Sequence, residues 1–106
     1  MSALPPTVRI ENTWLVEATY APDAAETRVP FRAEHLRRCA ELKAQGVIVE
    51  VGAYADLSAS LLILRAADEA SALAIVRDDV YMRNGVWIEV RARAFGRVVS
   101  DGPSPV

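Results

Sequence analysis

The stretch VIVEVGAYADLSASLLILRA, residues 47–66, decides the fold. Val47 to Tyr54 runs or alternates apolar, Ala55 to Ala59 is a short break, and Ser60 to Ala66 is apolar again. Two short β-branched and aliphatic runs on either side of such a break read as consecutive strands joined in a hairpin. What flanks them is helical. Phe31 to Gln45 predicts a helix, led in by Pro30 at a favourable first-turn position and stopped by Gly46. Asp68 can cap a second helix reaching about Asp79, because its carboxylate accepts free amide protons of the first turn. Further out, Thr13 to Tyr20 and Val86 to Phe95 read as strands, the latter entered through an Asn84-Gly85 turn, with a polar loop at Ala21 to Pro30. The order β-α-β-β-α-β is the ferredoxin-like α+β pattern, in which both helices cover one face of an antiparallel four-stranded sheet. One domain over residues 13–99 is expected, with flexible termini at 1–12 and 100–106, which are rich in turn-forming types.

The composition excludes several classes of partner. A chain of 106 residues has room for one domain, and 52% apolar content supplies its core. Twelve basic residues, eleven of them arginine, interleave with 14 acids for a net charge of −2, which argues against nucleic acid. No apolar run reaches the length of a membrane span, and residues 1–6 show no positive region leading into an apolar stretch, so no signal peptide and a cytoplasmic location are expected. The lone Cys39 excludes an internal disulfide and any multi-cysteine metal site. Set among leucines on a helix, it reads as a buried, inert thiol.

The uncovered face of the sheet suggests a partner. Along the last strand Val86, Ile88, Val90 and Ala92 alternate with Trp87, Glu89, Arg91 and Arg93. The third strand sets Leu61 and Ile63 against Ser60, Leu62 and Leu64, apolar on both sides. A face mixing an indole, aliphatics and charges is too apolar for water and too charged for a core, and it suits the same face of a second copy. A homodimer is therefore expected, with Arg37, Arg38, Arg91 and Arg93 solvated or paired across the join.

Topology gathers the residues with chemistry to offer. His35, the only histidine, shares a helical stripe with Phe31, Cys39 and Leu42, so it points at the sheet. Periodicity alone leaves open a core imidazole bonded to a backbone carbonyl. Following the chain up and down, however, brings His35, Asp79, Tyr81, Ser60, Tyr20 and Gly52 to one end of the domain from separate segments. A carboxylate beside an imidazole fixes its tautomer and raises its basicity, one way to make a general base near neutral pH. Asp79 at a helix C-terminus would oppose the helix dipole, which hints at another reason for its place; Asp78 could fill the same role. Arg28 and Arg32 lie near that end and could hold an acidic substrate. Trp14, Tyr54, Trp87 and Phe95 read as packing residues. One histidine and scattered acids predict no metal site, and no phosphate loop or dinucleotide fingerprint calls for a cofactor.

Several segments resemble the YciI-like (YCII-related) family of small proteins. They are Phe31-Arg32-Ala33-Glu34-His35-Leu36, the strand end Glu50-Val51-Gly52-Ala53, Ser60 at the opening of the third strand, and Asp79-Val80-Tyr81 followed by Asn84-Gly85-Val86-Trp87. Val80 departs from the family's usual proline, and the loop between strands two and three is short. The resemblance implies a dimeric α+β barrel of ferredoxin-like subunits. It implies His35 and Asp79 as a catalytic pair, with Ser60, Tyr20, Tyr81, Arg28, Arg32 and Gly52 around a substrate pocket, and some relatives are lyases acting on small ring compounds. The expected function is a cofactor-independent lyase, isomerase or hydrolase that moves a proton on a small, possibly ring-containing substrate. The alternatives are a non-catalytic dimer that binds a small ligand or a protein, and an enzyme like the cofactor-free oxygenases and lactone isomerases of related barrels.

Overall fold

The computed structural model describes residues 3–100. Its elements are β1 (Val8–Tyr20), α1 (Ala24–Thr27), a 3-10 turn (Val29–Phe31), α2 (Arg32–Ala44), β2 (Ile48–Ala53), β3 (Ala59–Leu64), α3 (Glu69–Arg77), α4 (Val80–Arg83) and β4 (Trp87–Ser100). The sheet order is β2-β3-β1-β4, with every neighbouring pair antiparallel, and this is the ferredoxin-like α+β fold. Val16, Ala18, Ile48, Leu62 and Leu64 from the sheet close on Ala72 and Val76 of α3 and Tyr81 of α4 to form the core. No described helix is long and apolar enough to cross a membrane.

Local chemistry sets the boundaries. Asp68 caps α3 as expected, its carboxylate accepting the Ser71 amide at 2.8 Å. Helix α2 ends on Gly46 at φ 77°, where Gly46 N donates to Lys43 O and Val47 N to Leu42 O, the paired bonds of a Schellman stop. Asn84-Gly85 does the same for α4: Gly85 has φ 70°, and Val86 N donates to Tyr81 O at 2.9 Å.

Three expectations need correction. The outer strands are longer than their residue types suggest: Val8 to Asn12 pair with Gly96 to Ser100, so much of the expected loose ends is ladder. Residues 1–2 and 101–106 lie outside the described residues. Trp87 is on the helix side, not the open face. Tyr20 pairs with Trp87 but Thr19 pairs with Glu89, so Ile88 is an extra residue in β4 and reverses the alternation at that point. The indole is buried and Ile88 is 55% exposed. Finally, the second helix is broken. Asp78 closes α3, and Asp79, in extended conformation, opens the separate helix α4.

Candidate active site

Helix α2 buries only His35 and Cys39, a polar pair where an inward stripe would ordinarily be aliphatic. Buried polar groups need partners, and the break between α3 and α4 supplies one. Asp79 is the N-cap of α4, and its Oδ1 accepts the Tyr81 amide at 2.9 Å. The same oxygen lies 2.9 Å from His35 Nδ1. Asp79 therefore also stands at the favourable, positive end of a short helix, whose first-turn amide offsets the cost expected from the end of α3. A carboxylate only accepts, so Nδ1 carries the proton and Nε2 is left for chemistry. The reading of His35 as a core imidazole bonded to a carbonyl is thereby replaced by a side-chain partnership.

Arg38 holds the other carboxylate oxygen. Its Nη1 donates to Asp79 Oδ2 at 3.3 Å, its Nη2 donates to Ile75 O at 2.9 Å, and Asp78 Oδ2 is 3.8 Å away. This arginine was expected in solvent or at a dimer join; it is a clamp within the chain. Asp78 is largely exposed and, among the described residues, pairs with Arg38 alone. Arg91 likewise pairs locally, with Glu89 at 2.9 Å and Glu17 at 3.7 Å.

The imidazole is held on its faces as well. The Tyr81 ring stacks on it at 3.8 Å and 12°, and Trp87 meets it edge-on at 5.2 Å. Burial pulls the His35 pKa down. The hydrogen bond and charge of Asp79, with the Cys39 contact, more than offset this and raise it from 6.5 to about 9. Burial pushes Asp79 up, but the bonds from His35 and the Tyr81 amide and the charges of His35 and Arg38 leave it below the ordinary aspartate value. The resting pair at neutral pH is imidazolium and carboxylate.

A cavity of about 210 Å³ opens beside the ring, lined by Tyr20, Arg28, Arg32, His35, Ser60 and Tyr81, together with Leu36, Cys39, Val51, Gly52 and Ala53. All six pocket residues expected from the sequence are there. Asp79 is not part of the wall; it sits behind His35. Ser60 Oγ donates to Tyr20 Oη at 3.0 Å, which orients both hydroxyls on the floor. Arg28 and Arg32 make no ion pair among the described residues, although their charges act on Tyr81. Burial pushes the Tyr81 phenol up, with the neighbouring Tyr20 adding to it.

Sequence reasoning placed Cys39 on the stripe of His35 but missed Arg38, the burial of Trp87 against the imidazole and the contact of Cys39 Sγ, 3.7 Å from His35 Nε2, which the spacing of four residues allows. His35, Cys39 and Asp79 are metal-ligand types with ligand atoms within 4.8 Å of one another. Yet Asp79 meets Nδ1 and Cys39 meets Nε2, on different nitrogens of one ring. That is the geometry of a proton relay and not of a shell around a single ion.

The YCII-related domain matches residues 13–96 of the chain. Among curated proteins no significant match is found. Among solved structures, the chain is similar to the 5-chloro-2-hydroxyhydroquinone dehydrochlorinase of Burkholderia phenoliruptrix AC1100, in complex with 2,5-dihydroxybenzoquinone. The TM-score is 0.66 and the identity 21%, over 76% of this chain and 90% of that one, a likeness of fold.

Proposed function

This chain belongs to the YCII-related family, and on that premise we propose that it is a cofactor-independent enzyme of lyase or isomerase type. Its substrate is a small, anionic ring compound, on which His35 moves a proton. The observation that carries this reading is the imidazole whose Nδ1 is bound to a buried aspartate 2.9 Å away, in the wall of a cavity carrying two guanidiniums that make no ion pair among the described residues. A volume near 210 Å³ is below the roughly 300–1,000 Å³ of pockets for drug-sized ligands and suits a single substituted ring. Arg28 and Arg32 favour a phenolate, enolate or carboxylate there. A dehydrochlorinase of a chlorinated hydroquinone with the same fold makes a ring substrate the natural class to test.

With its pKa raised to about 9, His35 meets the substrate as a donor. It protonates a carbonyl oxygen or departing group first, and takes a proton back from a ring carbon or hydroxyl afterwards. This reverses the order a near-neutral general base would follow. Asp79 acts through His35 by holding its ring and its charge. Ser60 and Tyr20 offer hydroxyls to ring oxygens, and the bare edge at Gly52 leaves room for the ligand.

A homodimer through the open sheet face belongs to the same proposal. Leu15, Leu61 and Ile63 are half-buried in the centre of that face, beside Glu17, Arg91 and Arg93. A second copy would cover the aliphatics and keep the charges near the rim.

The function is tested by calorimetric titration with 2,5-dihydroxybenzoquinone, and by turnover of chlorinated hydroxyhydroquinones followed as chloride release. Wild-type protein should bind the quinone, and Arg32→Ala or Arg28→Ala should weaken binding about tenfold, the value of one charge-assisted contact. His35→Gln should bind yet lose turnover about 10²–10⁴-fold. Binding indifferent to both arginines, with turnover unchanged in His35→Gln, would overturn the reading.

A further inference from the structure

Cys39 is the one nucleophilic side chain on the cavity wall that proton transfer by His35 does not use. It is 7% exposed, one turn below His35 on α2, with Sγ 3.7 Å from Nε2. A thiol, an imidazole touching it, and a carboxylate orienting that imidazole from the far nitrogen make up the nucleophile, base and orienter of covalent catalysis. Here the three are in series: Cys39 Sγ to His35 Nε2, then Nδ1 to Asp79 Oδ1. The sulfur therefore stands in a built site with a cavity in front of it and two guanidiniums on the same wall.

We infer that Cys39 is a nucleophile that adds covalently to electron-poor ring substrates, namely quinones and related α,β-unsaturated carbonyl compounds. This deepens the function proposed above and rests on its cavity and its ring substrate. The reacting form is the thiolate facing the imidazolium, with the thiol's proton on Nε2, and attack by sulfur leaves that proton there. The sulfur pair forms a bond to the ring carbon β to a carbonyl, the C=C π pair shifts, and the electrons come to rest on the carbonyl oxygen. That oxygen takes the proton from Nε2, the hydrogen on the attacked carbon then passes as a proton to the second carbonyl oxygen, and the product is a hydroquinone thioether. Its reversal, expulsion of the thiolate, returns the quinone. Where the attacked carbon bears a halogen, halide leaves with the bonding pair and the ring stays a quinone, so no oxidant or reductant enters either course. Arg28 and Arg32 are the cations available to the developing oxyanion.

The test uses the full, untagged chain at pH 7 with 1,4-benzoquinone, read by intact-protein mass spectrometry and peptide mapping. Cys39 is the single cysteine, so the assignment is unambiguous. The native protein should gain one quinone at Cys39, at least about tenfold faster than the urea-unfolded chain, the minimum for a base held against the thiol. Cys39→Ser should gain none, and His35→Gln, with folding confirmed by circular dichroism, should lose most of the acceleration. A native protein labelled more slowly than the unfolded chain would overturn the inference, because that is how an inert buried thiol behaves. If 2,5-dihydroxybenzoquinone binds the wild type while Cys39 resists 1,4-benzoquinone, the covalent role fails and the cavity's function stands. If neither happens, both fail.

Discussion

Asp79 does two jobs with one carboxylate, and substitution can separate them. Asparagine caps a helix about as well as aspartate, so Asp79→Asn keeps the Tyr81 amide bond of α4 and removes only the charge beside His35. Asp79→Ala removes both. In urea unfolding at pH 7, Asp79→Ala should be less stable than Asp79→Asn by about 1 kcal/mol, the ordinary worth of a cap; equal stabilities would mean the cap contributes nothing. The pairing of His35 with this residue could be read from the sequence, because helical phase turns His35 inward and topology brings the chain near Asp79 to the same end. The clamp by Arg38 was not legible. Where a guanidinium settles depends on the angle between two helices, which residue spacing does not carry. Cys39 could be placed on the inward stripe of His35, but a free cysteine there reads as inert burial.

Elements hold the site at the correct angle, and glycine placement is what ends them. Gly85 has φ 70°, and a side chain added there meets no atom within 4 Å. Gly85→Ala should therefore cost only the left-handed backbone penalty, about 1 kcal/mol, in thermal or urea unfolding, with His35 still on Asp79. No loss of stability would contradict the Schellman stop assigned to α4. Strand and helix order was legible because hydrophobic periodicity, Gly46, Asp68 and Asn84-Gly85 each act locally. The bulge at Ile88 was not, since strict alternation in Val86 to Arg93 fits an unbroken strand, and burial of the Trp87 indole in the core overrides it. The break at Asp78-Asp79 was hidden for a similar reason. Two adjacent aspartates read as a helix end, whereas the second of them also caps the Tyr81 amide and meets His35, and so begins a new helix.

At the scale of the molecule, the long β1–β4 ribbon makes the chain elongated. Its radius of gyration is 15.8 Å, against the roughly 13 Å of a compact domain this long. Among the described residues Val8 to Thr13 pair only with Phe95 to Ser100, and a bare two-stranded ribbon is marginal by itself. A partner is consistent with that shape. Sedimentation should find a dimer, and Ile63→Glu should shift it to monomer; a monomeric wild type would remove the open-face proposal. Stability should also carry the signature of the buried pair. The folded pKa of His35, about 9, lies above its unfolded value of 6.5, so unfolding releases a proton between the two. The pair's contribution is complete below pH 6.5 and fades as pH rises through 9, by about 3 kcal/mol at roughly 1.4 kcal/mol per unit. At the acid end, Asp79 is depressed, so its share is present above pH 3.8 and is lost as pH falls through its folded value. Unfolding free energy in His35→Gln should be nearly level from pH 6.5 to 9. The site is built on one charged imidazole, and because the chain has a single histidine it can be watched directly. Proton NMR titration of His35 should give a midpoint near 9 in the wild type and, once Asp79→Asn removes the charge that most strongly opposes burial, a clearly lower one. A midpoint near 6.5 that ignores the substitution would contradict the pairing on which the site is built.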